Sequence, residues 1–169
     1  MGKATGFMEF NRKNKEEIAP LERIKNFNDF HVNFDLKTQR EQASRCMNCG
    51  VPFCQSGMVI GRRNVGCPLA NLIPEWNHLI YLGLYEEAYK RLDKTAPFPE
   101  FTGSVCPALC EAVCSCSING EAVGIKCNEL FLIEEAFKNN WIKPKKDIIR
   151  NNKKVVIVGS GPSGLACAK

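Results

Sequence analysis

Three thiols stand in one short stretch, "CMNCGVPFC", as Cys46, Cys49 and Cys54, and a fourth, Cys67, is followed at once by Pro68. A second group, "CPALCEAVCSC", supplies Cys106, Cys110, Cys114 and Cys116. Thiols this dense form disulfides in an oxidising compartment and bind metal or exchange electrons in a reducing one. A zinc site usually shows two C-x2-C pairs, or one pair with two histidines, around a tetrahedral ion. This chain has a single C-x2-C, its second group reads C-x3-C-x3-C-x-C, and its two histidines, His31 and His78, stand apart from both. Iron-sulfur chemistry suits the pattern better. A loop carrying C-x2-C-x4-C can wrap a cubane while a further ligand arrives from a distance, often with proline behind it. Two groups, each with three or four thiols, predict two 4Fe-4S clusters. Cys167 lies among small residues and is expected to be a buried apolar residue; His78 is expected to pack within a helix.

Composition sets the context. The 169 residues are 44% hydrophobic and 24% charged, a globular balance. No apolar run approaches the roughly 20 residues of a membrane helix. The opening "MGKATGFMEFNRK" has no apolar signal core, so the expected location is the cytoplasm, with no membrane partner. The formal charge is +5, and Lys143, Lys145, Lys146, Arg150, Lys153 and Lys154 fall in one short run. No aromatic is interleaved there, so the run is read as a solvated linker and no nucleic-acid partner is expected.

Elements must bring the thiols together. "LKTQREQASRC" is amphipathic and predicts a helix leading into Cys46; the first cysteine loop then turns through Gly50, Pro52, Gly57, Gly61 and Gly66. After Pro68, Leu72, Trp76, Leu79, Ile80, Leu84, Ala88 and Leu92 recur at helical spacing and predict two helices with a break near Gly83. "TAPFPEFTGSV" reads as a proline-rich, non-helical connection. Cys106, Cys110 and Cys114, at i, i+4 and i+8, would share one face of a helix. "INGEAVGIKC" reads as a turn with a short extended piece, and "NELFLIEEAFKNNW" as an amphipathic helix with a stripe of Leu130, Ile133 and Phe137.

The tail "NNKKVVIVGSGPSGLACAK" is of another kind. Val155 to Val158 reads as a buried parallel strand, and Gly159, Gly161 and Gly164 follow as G-x-G-x-x-G. That is the dinucleotide-binding fingerprint, whose glycines let backbone approach a pyrophosphate at a helix N-terminus. A complete site needs a βαβ unit of roughly 30 residues with an acidic ribose contact. The expectation is the front part of a longer flavoprotein-type polypeptide.

"CMNCGVPFCQSG", "GCPLANLIPEWNHLIYLGLYEEAYKRL", "FPEFTGSVCPALCEAVCSCSINGEAVGIK" and "KKVVIVGSGPSGLA" together resemble the N-terminal region of the small (beta) subunits of glutamate synthases, as do "GFMEF" and "ERIKNF". The same module is similar to the N-terminal cluster domain of dihydropyrimidine dehydrogenase. The resemblance implies a mostly α-helical, ferredoxin-like domain with two 4Fe-4S clusters, followed by the first strand and glycine loop of a truncated Rossmann-type domain for FAD and NAD(P)H. The implied organisation is an N-terminal extension over 1–35, the two-cluster domain over 36–142, a basic linker over 143–153 and the nucleotide-domain start over 154–169. It also implies interleaved ligands. Cys46, Cys49 and Cys54 would hold one cluster with Cys114, and Cys67, Cys106 and Cys110 the other with Glu129; Cys116 or Cys127 stands near enough to substitute. Gly159, Gly161 and Gly164 would belong to the cofactor site. The implied partner is a large (alpha) subunit carrying FMN, and the implied activity is NAD(P)H-dependent glutamate synthesis, which this stretch alone is not expected to catalyse.

Overall fold

The computed structural model describes residues 2–144, 149 and 151–169. Short helices α1 (Gly6–Glu9) and α2 (Pro20–Arg23) lie in the N-terminal region, whose backbone pairs once with itself, at Glu17 and His31. Then come α3 (Leu36–Ser44), α4 (Ile73–Leu82), α5 (Tyr85–Leu92), α6 (Pro99–Val105), α7 (Leu109–Ala112), α8 (Ile125–Lys138) and α9 (Pro162–Ala168). Strands β1 (Met58–Ile60) and β2 (Arg63–Val65) form an antiparallel hairpin pairing Met58 with Val65 and Ile60 with Arg63. No helix among the described residues is long and apolar enough to cross a membrane.

Asp35 starts α3 by accepting a hydrogen bond from the Thr38 N–H at 2.6 Å, which satisfies one of the helix's orphan donors. The predicted break after α4 falls at Gly83, whose left-handed φ of 82° lets Leu84 N–H return to the Leu79 carbonyl at 2.9 Å. Packing of α3, α4, α5 and α8 buries Trp76, Ile80, Ala88, Leu92 and Leu132 completely. A polar strut crosses this core: Gln39 donates to Asn128 at 2.6 Å, and Asn128 to Asn77 at 2.7 Å. It joins α3, α8 and α4 by directed bonds that apolar packing alone would not supply.

Several expectations give way. The connection "TAPFPEFTGSV" is not wholly irregular, because Pro99 opens α6 at a position where its missing N–H costs nothing. Cys106, Cys110 and Cys114 do not share a helix face, since α7 covers only Leu109–Ala112 and Ala108 before it is left-handed at φ 56°. The extended piece in "INGEAVGIKC" is absent, and its last residues open α8. Phe137 lies 55% exposed, outside the buried stripe of Leu130 and Ile133. Val155–Val158 forms no strand, because among the described residues neither β1 nor β2 pairs with it, and Cys167 on α9 is exposed. The basic run reaches Lys145, Lys146 and Arg150, which lie outside the described residues.

Candidate metal centre

The first thiol follows directly from α3, which ends in the buried Arg45 before Cys46. A left-handed Asn48 at φ 48° and a 3₁₀ turn over Phe53–Gln55 coil the next segment. Cys46, Cys49 and Cys54 thereby line one cavity with Cys114, which enters a second 3₁₀ turn at Ser115–Ile118. Burial pushes the Cys46 thiol up to about 11, and the charges of Cys114 and Cys49 add to it. Cys54 rises to about 12 by burial and by the charges of Cys46, Cys114 and Cys49. Cys114 moves the other way. A hydrogen bond with the Cys116 thiol holds it below the ordinary thiol value, and the Val123 N–H also donates to it.

The second group begins at the base of the hairpin. Cys67 N–H donates to the Cys54 carbonyl at 2.7 Å. Gly66 makes that approach possible: its φ is 78°, and a Cβ there would stand 2.1 Å from the Phe53 carbonyl oxygen. Cys67, Cys106, Cys110 and Glu129 line a cavity of about 270 Å³. The Ala108 N–H approaches the Cys106 sulfur at 3.4 Å, and Cys110 rides on α7. Glu129, on α8, accepts from the Thr102 hydroxyl and stands 3.4 Å from the Asn71 amide nitrogen. Asn71 is held in turn by the Trp76 indole and the Thr95 hydroxyl, each at 3.1 Å. Burial raises the Glu129 carboxyl against the Thr102 hydrogen bond. It also raises Cys67 and Cys110, where the charge of Glu129 works in the same direction.

Each four-residue group therefore draws on both cysteine loops. Among the described residues no three His, Cys, Asp or Glu side chains close tightly enough to hold a single metal ion. They border cavities instead. Thiols, one carboxylate and walls of Ile73, Pro74, Val123 and Ile125 form a donor set that fits a multinuclear iron-sulfur centre, in which each iron takes one protein ligand. The second cavity has the room. The first is narrow, about 20 Å³, roughly the space of one water; its lining combines buried residues such as Ile73 and Ile125 with the partly exposed Cys49 and Phe53. Thiols raised this far are protonated at neutral pH, so ligating metal must release their protons.

The alternative ligands separate. Cys116 lines the first cavity, whereas Cys127 lines a different one, of about 260 Å³, with Arg12, Lys15, His31 and Lys126. Gly159, Gly161 and Gly164 form a loop ahead of α9, with Gly159 at φ 108° and a Cβ on Gly164 blocked at 2.4 Å by the Gly159 carbonyl oxygen. His78 sits in α4, where burial lowers its pKa and its Nδ1 has no hydrogen-bond partner. The sequence reading missed Asn71, Thr102 and Arg45. Thr102 lies in the "FPEFTG" motif, yet its contact with Glu129 spans 27 residues and has no local signature; Arg45 beside Cys46 was visible, but nothing local says that its guanidinium is buried.

A family profile described as "Dihydropyrimidine dehydrogenase domain II, 4Fe-4S cluster" matches residues 23–141. The chain is 51% identical over 168 residues to the glutamate synthase [NADPH] small chain of Bacillus subtilis, covering 99% of this chain and 34% of that one. It is 42% identical over 166 residues to the glutamate synthase [NADPH] small chain of Mycobacterium tuberculosis (strain H37Rv), covering 97% and 32%. It is also 42% identical over 166 residues to the glutamate synthase [NADH] of Saccharomyces cerevisiae, covering 98% of this chain and 7% of the yeast protein. The chain thus spans about a third of the length of the bacterial small chains it matches. With both cysteine loops, Glu129 and the helices that hold them inside the matched span, the chain belongs to the dihydropyrimidine dehydrogenase domain II, 4Fe-4S cluster family.

Proposed function

We propose that this chain is the iron-sulfur electron-transfer module of an NAD(P)H-dependent glutamate synthase. Cys46, Cys49, Cys54 and Cys114 hold one 4Fe-4S cluster; Cys67, Cys106, Cys110 and Glu129 hold the other. Bound clusters supply one-electron transfer. The chain's own residues supply the rest: Ile73, Pro74, Val123 and Ile125 keep water from the first site, and Thr102 and Asn71 fix the Glu129 carboxylate at the second. The module's place in the parent enzyme is between the FAD that oxidises NAD(P)H and the FMN of a large subunit, where glutamate is made from glutamine and 2-oxoglutarate. Gly159, Gly161 and Gly164 belong to an FAD- and NAD(P)H-binding domain. The location is the cytoplasm.

The observation that carries this reading is that each of two cavities is lined by thiols from both cysteine loops, Cys116 included in the first, in a chain 51% identical to a glutamate synthase small chain. The name of the matched family keeps a second reading, a module serving a pyrimidine-reducing flavoprotein. Iron, acid-labile sulfide and zinc are measured on anaerobically purified protein. About eight iron and eight sulfide per chain are expected for two cubanes; one or two zinc ions without sulfide overturn the redox reading. Copurification with a glutamate synthase large subunit on coexpression, and not with a pyrimidine-binding one, separates the two partners.

A further inference from the structure

Arg45 is 3% exposed. Its Nε donates to the Phe10 carbonyl at 3.0 Å, its Nη1 to Ala122 at 2.9 Å and its Nη2 to Glu121 at 2.8 Å. All three acceptors are neutral. Among the described residues Arg45 makes no ion pair, although Arg12 nearby does so, with Glu111 at 2.7 Å. Its hydrogen bonds are met but its charge is not. A buried cation without a counter-charge is costly, and proteins that keep one usually place an anion close by.

The first thiol group adjoins Arg45 in the chain. Cys46 is the next residue, and the Cys116 thiol stands 3.5 Å from the Arg45 carbonyl. One peptide group makes the link directional. The carbonyl of the Ala122–Val123 peptide accepts from Arg45 at 2.9 Å, and more distantly from Arg12 at 3.4 Å, while Val123 on the other side of that peptide lines the first cavity with Cys114. A guanidinium on the oxygen polarises the peptide and strengthens its N–H as a donor. Neither cavity is lined by a lysine or arginine, so Arg45 acts on the first from behind the Ala122–Val123 peptide, whereas the second is bordered by the carboxylate of Glu129.

We propose that Arg45 sets the reduction potential of the cluster held by Cys46, Cys49, Cys54 and Cys114, making it the more easily reduced of the two. A 4Fe-4S centre with four thiolates carries about two negative charges when oxidised and about three after taking one electron, and potentials follow net charge and hydrogen bonds to sulfur. Arg45 stabilises the added charge, both through space and through the Ala122–Val123 peptide. Electrons reaching this chain would then settle at the Arg45 side. The inference rests on the two-cluster reading above.

The test is an anaerobic redox titration of the iron-loaded protein followed by electron paramagnetic resonance, on wild type, Arg45→Gln and Arg45→Lys. In Arg45→Gln the higher of the two potentials is expected to fall while the other stays; in Arg45→Lys, which keeps the charge and loses the fork, both stay near wild type. Unchanged potentials in a fully loaded Arg45→Gln overturn the proposal. If Arg45→Gln loses half its iron and Arg45→Lys keeps it, the charge is what the site requires, in support. Equal iron loss in both variants assigns Arg45 a purely structural fork and overturns it. A wild-type protein that holds zinc without sulfide sinks the two-cluster reading instead, before either variant is made.

Discussion

The grouping of the thiols is decided by single residues at the joints between elements. Ala108 and Asn48 take left-handed backbone without being glycine, a conformation that costs about 1–2 kcal/mol, and each lies within two residues of a thiol of its group. The interleaving makes a prediction that pairing within one loop does not. Cys49→Ala and Cys114→Ala are each expected to remove about half of the iron, because under the proposed assignment each would remove a ligand of the same cubane. Combined, they should still leave half, whereas Cys49→Ala with Cys110→Ala should leave almost none. Iron and sulfide analysis of the four proteins decides it: if the first double variant is empty, each loop holds its own cluster.

At the scale of elements, α6 and α8 form the clamp on Glu129. They cross at Gly103, where a Cβ would stand 2.9 Å from the Cα and Cβ of Leu130, the residue after Glu129. Gly103→Ala is therefore expected to destabilise the protein by about 1–3 kcal/mol, the usual cost of an overpacked contact, and to move Thr102 away from Glu129. Thermal unfolding gives the first effect, and the electron paramagnetic resonance signal of one cluster gives the second. Legibility also divides by element. The helices α3, α4 and α5 were readable because their apolar spacing and Gly83 are local signals, and α8 was readable from Asn128 on, all but its first three residues. The elements nearest the thiols were not. In α6 a proline-rich opening hid a helix start, and α7 is too short to show a period. The hairpin of β1 and β2 turns on Gly61 and Arg62, both at positive φ, 55° and 67°; arginine is a poor advertisement for such a turn. The thiols were identifiable one by one, but the contact of Thr102 with Glu129 exists only once α6 lies on α8.

The whole molecule has a modest apolar core and two donor groups that tie together segments far apart in sequence. One joins residues 46–54 to 114, and the other joins 67 to 106–110 and 129. When ligands are assembled only in the folded chain, metal binding adds directly to folding stability. Stripping iron with a chelator under reducing conditions is expected to lower the thermal midpoint by about 10 °C or more, taking roughly 2–4 °C per kcal/mol for a chain of this size; an unchanged midpoint in calorimetry would mean that the helices stand without the centres. The hairpin between the two groups has a different consequence. Its base is pinned by the Cys67 N–H on the Cys54 carbonyl at 2.7 Å and by the Ser56 hydroxyl on the Val65 carbonyl at 2.8 Å, while at its tip a side chain added to Gly61 would enter open space. Length added or removed at that tip leaves the spacing of Cys54 and Cys67 untouched. Homologues can drift in loop size there without rewiring the protein, and an engineer can graft a dye or an electrode tether at the same point.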